Sequence, residues 1–92
     1  MTQNDAWWLY IIETKKGKLY TGITTDVERR FQEHIDISQG NKAAKGAKYF
    51  RTDAPTKIVY QESFEDRSAA SKRESEIKAL SRDKKLALIN AS

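Results

Sequence analysis

The chain has 92 residues, of which 33% are charged and 38% hydrophobic, and it carries a net charge of +4 with no cysteine. A chain this short folds as one domain, expected to span 1–92 with a core over about 6–90, and its apolar content is too high for a disordered segment. Disulfides and thiolate sites are excluded; no apolar run approaches the roughly 20 residues of a bilayer span, and the opening MTQNDA lacks the basic-then-apolar pattern of a leader, so a cytoplasmic protein without membrane attachment is expected.

AWWLYII is a continuous β-prone apolar run, as in a strand covered on both faces, and KLYTGI is a second. The intervening TKKG supplies a three-residue loop, Lys15-Lys16-Gly17, with Gly17 in the left-handed conformation. That loop pairs Thr14 with Lys18, Ile12 with Tyr20 and Tyr10 with Gly22. Tyr10 and Tyr20 then share a face as diagonal neighbours within about 7–8 Å.

TTDVERRFQEHIDIS reads as a helix with Thr25 as cap, Glu28 completing a capping box and Asp26 at the positive end of the dipole. Its inward stripe is Val27, Arg30, Phe31, His34 and Ile35, while Arg29, Gln32 and Glu33 point away. An arginine and a histidine therefore sit where the pattern asks for apolar residues, the kind of conflict expected at a functional site. SQGNKAAKGAKYFRTDAP is polar, with a short helical piece near AAKGAKYF, and its Lys42, Lys45, Lys48 and Arg51 recur every third residue beside Tyr49 and Phe50. TKIVYQESF is a third strand. EDRSAASKRESEIKALS is a helix capped by Asp66 with Ala70, Arg73 or Glu74, Ile77 and Leu80 inward, and SRDKKLALINAS is a last short helix capped by Ser81 that packs Leu86 and Ile89.

Taken singly, these polar residues have ordinary readings: core-edge tyrosines, an arginine snorkelling over the core, a satisfied histidine, and a Glu74–Lys78 helix pair. Taken together, they suit phosphodiester cleavage. That reaction needs an oriented nucleophile, positive charge on the phosphoryl oxygens and help for the leaving oxygen, and a carboxylate can hold a divalent metal against phosphate. The positive net charge points the same way, toward nucleic acid as partner.

On Trp8-Leu9-Tyr10, Tyr20-Thr21-Gly22, Arg30 ten residues after the second tyrosine, and Glu74 in ASKRESEIK, the chain resembles the GIY-YIG endonuclease domain family. The likeness runs over essentially the whole length and is closest to the small stand-alone bacterial branch, whose LYTGIT, ERR, GAKY, IVYQE and KRE..IK.LSR are nearly reproduced. It implies an α/β fold of the α+β type, a three-stranded antiparallel sheet flanked by helices. It also implies metal-dependent hydrolysis of DNA, with RNA left open, using Mg2+ or another divalent cation. On that template Glu74 carries the metal, Arg30 stabilises the phosphoryl charge, Tyr10 and Tyr20 position or deprotonate the water, His34 is an alternative base or phosphate contact, and Gly22 lets the backbone turn close to the site. Trp8 and Thr21 depart from the signature, Ile23 stands where repair-type members carry lysine, and Asn90 is a loose counterpart of a late asparagine. The expected function is a structure-selective endonuclease in DNA repair or processing, with Lys42, Lys45, Lys48 and Arg51 along the nucleic-acid path and a protein partner supplying targeting. The alternative is a nucleic-acid-binding or adaptor module without catalysis.

Overall fold

The unbroken apolar run at the start becomes β1 (Trp7–Thr14), the central strand of the sheet in the computed structural model, which describes residues 6–91. It pairs antiparallel with β2 (Leu19–Thr24) on one side and β3 (Pro55–Phe64) on the other, in the order β2-β1-β3. Both faces of β1 are covered, which is why its sequence does not alternate. Tyr10 and Ile12 face a core shared with α1 (Val27–Ser38) and with Phe50 of a short 3-10 helix (Lys48–Arg51). Leu9 and Ile11 face a second core with Ile77 of α2 (Arg67–Lys78), Leu80 and residues Leu88 and Ile89 of α3 (Arg82–Ala91). The expected three-stranded antiparallel sheet flanked by helices is what forms, and among the described residues no helix is long and apolar enough to cross a membrane.

The hairpin register is the expected one. The Thr14 N–H donates to the Lys18 carbonyl at 2.9 Å, Ile12 pairs with Tyr20, Tyr10 pairs with Gly22, and Gly17 has φ of 82°. Opposite, β3 carries two register shifts against β1, between Ile11 and Ile12 and between Glu13 and Thr14. The first pairs Ile12 with Ile58 and brings Ile58 into the α1-side core.

The first helix is capped one residue later than the Thr25 capping box proposes. Asp26, in extended backbone, accepts from the Arg29 N–H at 3.1 Å, while the Thr24 hydroxyl accepts from the Asp26 N–H at 3.2 Å. The Thr24 contact turns the chain before Thr25 can cap, and a carboxylate complements the helix N-terminus better than a hydroxyl does. The stripe survives this shift: Val27 and His34 are buried and Arg30, Phe31 and Ile35 half-buried, with Ile37 as an additional buried member. In the second helix Asp66 caps as expected, accepting from the Ala69 N–H at 2.8 Å. Of the two inward candidates both are half-buried: Arg73 donates to Glu62 of β3 at 3.0 Å, and Glu74 pairs with Lys78 at 3.2 Å. In α3 no residue is fully buried, and Leu88 joins Ile89 in the core where Leu86 was expected.

Two contacts hold the polar segment between α1 and β3 against this frame. Asp53, buried although charged, accepts from the Thr14 hydroxyl at 2.6 Å, the Lys16 N–H at 2.9 Å and the Tyr49 hydroxyl at 3.1 Å, clamping the hairpin loop to the 3-10 helix. Burial opposes its charge, but these hydrogen bonds hold its carboxyl below the usual range. Gly46 lies on the backbone of α1, where a Cβ would stand 2.8 Å from both the Glu33 carbonyl carbon and the His34 Cα. Neither neighbour is a flexible side-chain end, so the Gly46→Ala variant should lose about 1–3 kcal/mol of stability. Urea unfolding measures this directly, and an unchanged midpoint would show that the close approach carries no constraint.

Candidate functional site

Tyr10 is fully buried in β1, and its ring is drawn across β2 because its pairing partner, Gly22, has no side chain. A Cβ at Gly22 would lie 2.6 Å from the Tyr10 Cζ and closer still to its hydroxyl. The backbone at Gly22 makes no sharp turn, contrary to the reason the family template suggests: it lies within a regular strand, and the missing side chain makes room for the tyrosine. Tyr20, two residues earlier in β2, stands with its ring centroid 6.5 Å from that of Tyr10, as the register requires.

α1 brings the next two groups. His34 is fully buried, with its ring 6.1 Å from Tyr10, 5.5 Å from Tyr20 and 4.5 Å from Phe50. Its Nδ1 accepts from the Ala47 N–H at 3.0 Å, and its Nε2 lies 3.0 Å from the Tyr10 hydroxyl. A backbone N–H can only donate, so Nδ1 carries no proton; the neutral ring therefore has its hydrogen on Nε2 and donates to the Tyr10 oxygen. Burial, helped by the Arg30 charge and opposed by Glu33, lowers the His34 pKa to about 4. With both nitrogens engaged inside the core, His34 orients Tyr10, and its ring has no exposed surface.

One turn earlier, Arg30 Nη1 donates to Glu33 at 2.8 Å and to the Lys45 carbonyl at 2.8 Å, and the guanidinium also interacts with the Tyr10 hydroxyl. Burial works against its charge, but the bonds to Glu33 and Tyr10 raise its pKa above the ordinary arginine value. Glu33, expected to point away, instead anchors Arg30. Burial pushes the Tyr10 hydroxyl up to about 12; neighbouring Tyr20 adds to this, Arg30 offsets part of it, and the Glu74 carboxylate adds again. The Glu74 carboxylate of α2 is thus close enough for its charge to be felt at Tyr10. It forms an ion pair with Lys78 at 3.2 Å, with 23% of its side chain exposed.

Among the described residues no group of three or more histidine, aspartate or glutamate side chains is placed to hold a metal ion. A lone, partly exposed carboxylate does fit the way Mg2+ is commonly held, by one or two carboxylates with substrate phosphate and water supplying the remaining oxygens. Glu74 could serve so if Lys78 gives way.

Two depressions open beside these residues. One, of about 370 Å3, is lined by Tyr20, Thr21 and Tyr49 with Lys18, Lys78 and Arg82. The other, of about 400 Å3, holds Arg29, Arg30 and Arg67 with Trp7, Ile23 and Glu33. Lys42, Lys45, Lys48 and Arg51 line neither. All four are exposed, and Lys42 and Arg51 flank a separate cleft at the C-terminal end of α1. Only Lys48 and Arg51 share a regular element, the short 3-10 helix, so the three-residue spacing does not align the four on one face. Asn90 sits in α3 beside Glu13 and Lys57, in another depression. Sequence reasoning missed Tyr49 and Asp53 as parts of this region; the signal available was an aromatic pair inside an otherwise polar segment, Tyr49-Phe50, with Asp53 three residues beyond.

Comparison with known proteins matches residues 6–87 to the GIY-YIG catalytic domain. A UPF0213 protein of Desulfotalea psychrophila is 48% identical over 91 residues, covering 99% of this chain and 77% of that protein. One of Staphylococcus saprophyticus is 44% identical over 86 residues, covering 94% and 96%. The solution NMR structure of a UPF0213 protein from Bacillus halodurans is similar with a TM-score of 0.58 at 36% identity, covering 95% of this chain and 85% of that one.

Two predictions follow the geometry. The folded state keeps His34 neutral down to about pH 4, whereas the unfolded chain takes up a proton near pH 6.5. The unfolded state therefore binds more protons between those values, and stability should fall as pH drops through that window, by up to about 3 kcal/mol. Melting temperatures measured from pH 7.5 to 4 should show that slope in the wild type and lose most of it in His34→Gln; an equal slope in both would assign it to other groups. Gly22→Ala should displace the Tyr10 ring and cost about 1–3 kcal/mol. The ring displacement should appear as changed His34 and Tyr10 NMR shifts, and unshifted resonances would rule it out.

Proposed function

The chain belongs to the GIY-YIG family, and on that premise we propose that it is a divalent-metal-dependent endonuclease hydrolysing DNA phosphodiester bonds, selective for DNA structure and acting in DNA repair or processing. The observation that carries this reading is the convergence on Tyr10 of a histidine, an arginine and a carboxylate from two different helices, beside a second tyrosine that opens to solvent. The bound metal would supply Lewis-acid stabilisation of the charge on the phosphoryl and leaving oxygens, held on the Glu74 side.

The chain's own groups divide the remaining work. Arg30, always protonated, sits against the phosphoryl oxygens and offsets the negative charge that builds as the water attacks. Tyr10 keeps its proton at neutral pH, and its oxygen already accepts from His34, so its O–H donates outward and holds the attacking water in line. Tyr20 lines the open depression. Its oxygen takes the water's proton as its own hydroxyl proton passes to solvent, the new P–O bond forms, and the bond to the leaving 3′ oxygen breaks, with solvent protonating that oxygen afterwards. His34 is a positioning residue that acts through Tyr10.

Nicking of single-stranded, nicked, flapped and branched DNA in Mg2+ should be detectable for the wild type. It should fall at least about a hundredfold in Glu74→Gln, whose melting temperature should stay near that of the wild type, and in Arg30→Ala, which loses its bonds to Glu33 and the Lys45 carbonyl but should remain folded at the assay temperature. For the metal assignment, Mn2+ binding by titration in the presence of an uncleavable phosphorothioate DNA should be lost in Glu74→Gln. A wild type that cuts none of these substrates, or a Glu74→Gln that cuts at the wild-type rate, would overturn the reading.

A further inference from the structure

Resting on the nuclease reading, we propose that the strand being cut runs from the reacting centre into the groove between β2 and the α2–α3 pair, and that a nucleobase flanking the scissile phosphate stacks on Tyr49. Four cations line this groove, Lys18, Lys78, Arg82 and Lys85, and no carboxylate does. Its volume of about 370 Å3 falls in the range that accepts small ligands or single residues of a polymer. Thr21 forms part of the wall.

Tyr49 supplies the aromatic half. It is the large hydrophobic residue that the described part of the chain leaves exposed, at 43%. It is nonetheless held rigidly: its hydroxyl donates to Asp53 at 3.1 Å, its ring stacks on Tyr20 at 5.8 Å and 23°, and Phe50 meets it edge-on at 5.4 Å. An exposed ring fixed on three sides binds a planar partner without first losing its own rotational freedom. Cations along a groove with an aromatic platform inside it are the means by which single nucleic-acid strands are held without base-edge readout. Because Tyr49 stacks directly on Tyr20, its platform lies next to the reacting centre. The other basic clusters differ: the cleft of Lys42 and Arg51 contains no aromatic residue, and in the depression of Arg29, Arg30 and Arg67 the aromatic, Trp7, has Arg67 over its ring at 5.7 Å and Glu33 shares the lining.

The test is binding of a short single-stranded DNA carrying the fluorescent base 2-aminopurine at successive positions, in EDTA so that cleavage does not intervene. Wild type and Tyr49→Phe should bind and quench the probe at a restricted set of positions, because both keep the ring. Tyr49→Leu should lose the quenching and bind about tenfold more weakly. Arg82→Ala/Lys85→Ala should flatten the dependence of log affinity on log salt by about 1.4, two phosphate contacts on a single strand. Thermal melts confirm that each variant is folded. If the wild type cuts DNA in Mg2+ while both sets of variants bind with wild-type affinity, quenching and salt slope, the groove assignment is wrong and the nuclease reading stands. If the wild type binds and quenches as described but cuts nothing, the nuclease reading fails and the groove remains a strand-binding site. A wild type that binds no single strand overturns the groove assignment.

Discussion

The hydrogen bond from the Ala47 N–H to His34 Nδ1 is the contact on which the site depends. It fixes the tautomer of a ring with no exposed surface and leaves the ring's single proton on Nε2 for the Tyr10 oxygen. Burial and the nearby Arg30 charge keep the imidazole neutral, so the direction of that bond does not reverse near neutral pH. The backbone donor reaches His34 only because Gly46 lets the loop lie directly on α1, and the same approach offers the Lys45 carbonyl to Arg30. One close contact between a loop and a helix thus sets the orientation of a tyrosine on a strand and of an arginine one helical turn away.

The sheet supplies the other side of this arrangement. β1 is buried on both faces and has little freedom to shift, and Gly22 gives Tyr10 a way across β2 toward the flank where α2 presents Glu74. Arg73 ties α2 to β3 through Glu62, while Glu74 pairs with Lys78 and lies close enough for its charge to be felt at Tyr10. Positive charge flanks the tyrosines at both ends of β2, with Lys18, Lys78, Arg82 and Lys85 beyond Tyr20 and Arg29, Arg30 and Arg67 beyond Gly22. A polyanion lying along this edge would meet cations on both sides of the tyrosines, an arrangement that favours capture by long-range attraction as well as local contact.

Much of this was legible from local rules. The three-residue loop set the hairpin register because side-chain alternation leaves no tolerance for a slip of one residue, and the helical repeat put Arg30 and His34 on the inward face. The cap of α1 was misplaced by one position because Thr25 and Asp26 both suit the role and the deciding contact, Thr24 to Asp26, is a matter of turn geometry. The basic stretch from Lys42 to Arg51 looked periodic, but periodicity organises side chains only within a regular element, and only Lys48–Arg51 forms a short helical turn.

The sequence by itself determined the strands, the helices and most of their buried faces, because these follow from spacing along the chain, while Tyr10, Tyr20, Arg30 and Glu74 stood out as a set through their resemblance to the family's signature. What only the tertiary structure decided was how those residues are held: the role of His34 inside the core, the anchoring of Arg30 by Glu33 and Lys45, the tie of Arg73 to Glu62 beside the pairing of Glu74 with Lys78, and the placement of Tyr49 by Asp53 beside Tyr20. Each of these depends on contacts between segments far apart in the chain, and no spacing rule encodes the path by which a loop returns to the helix it left.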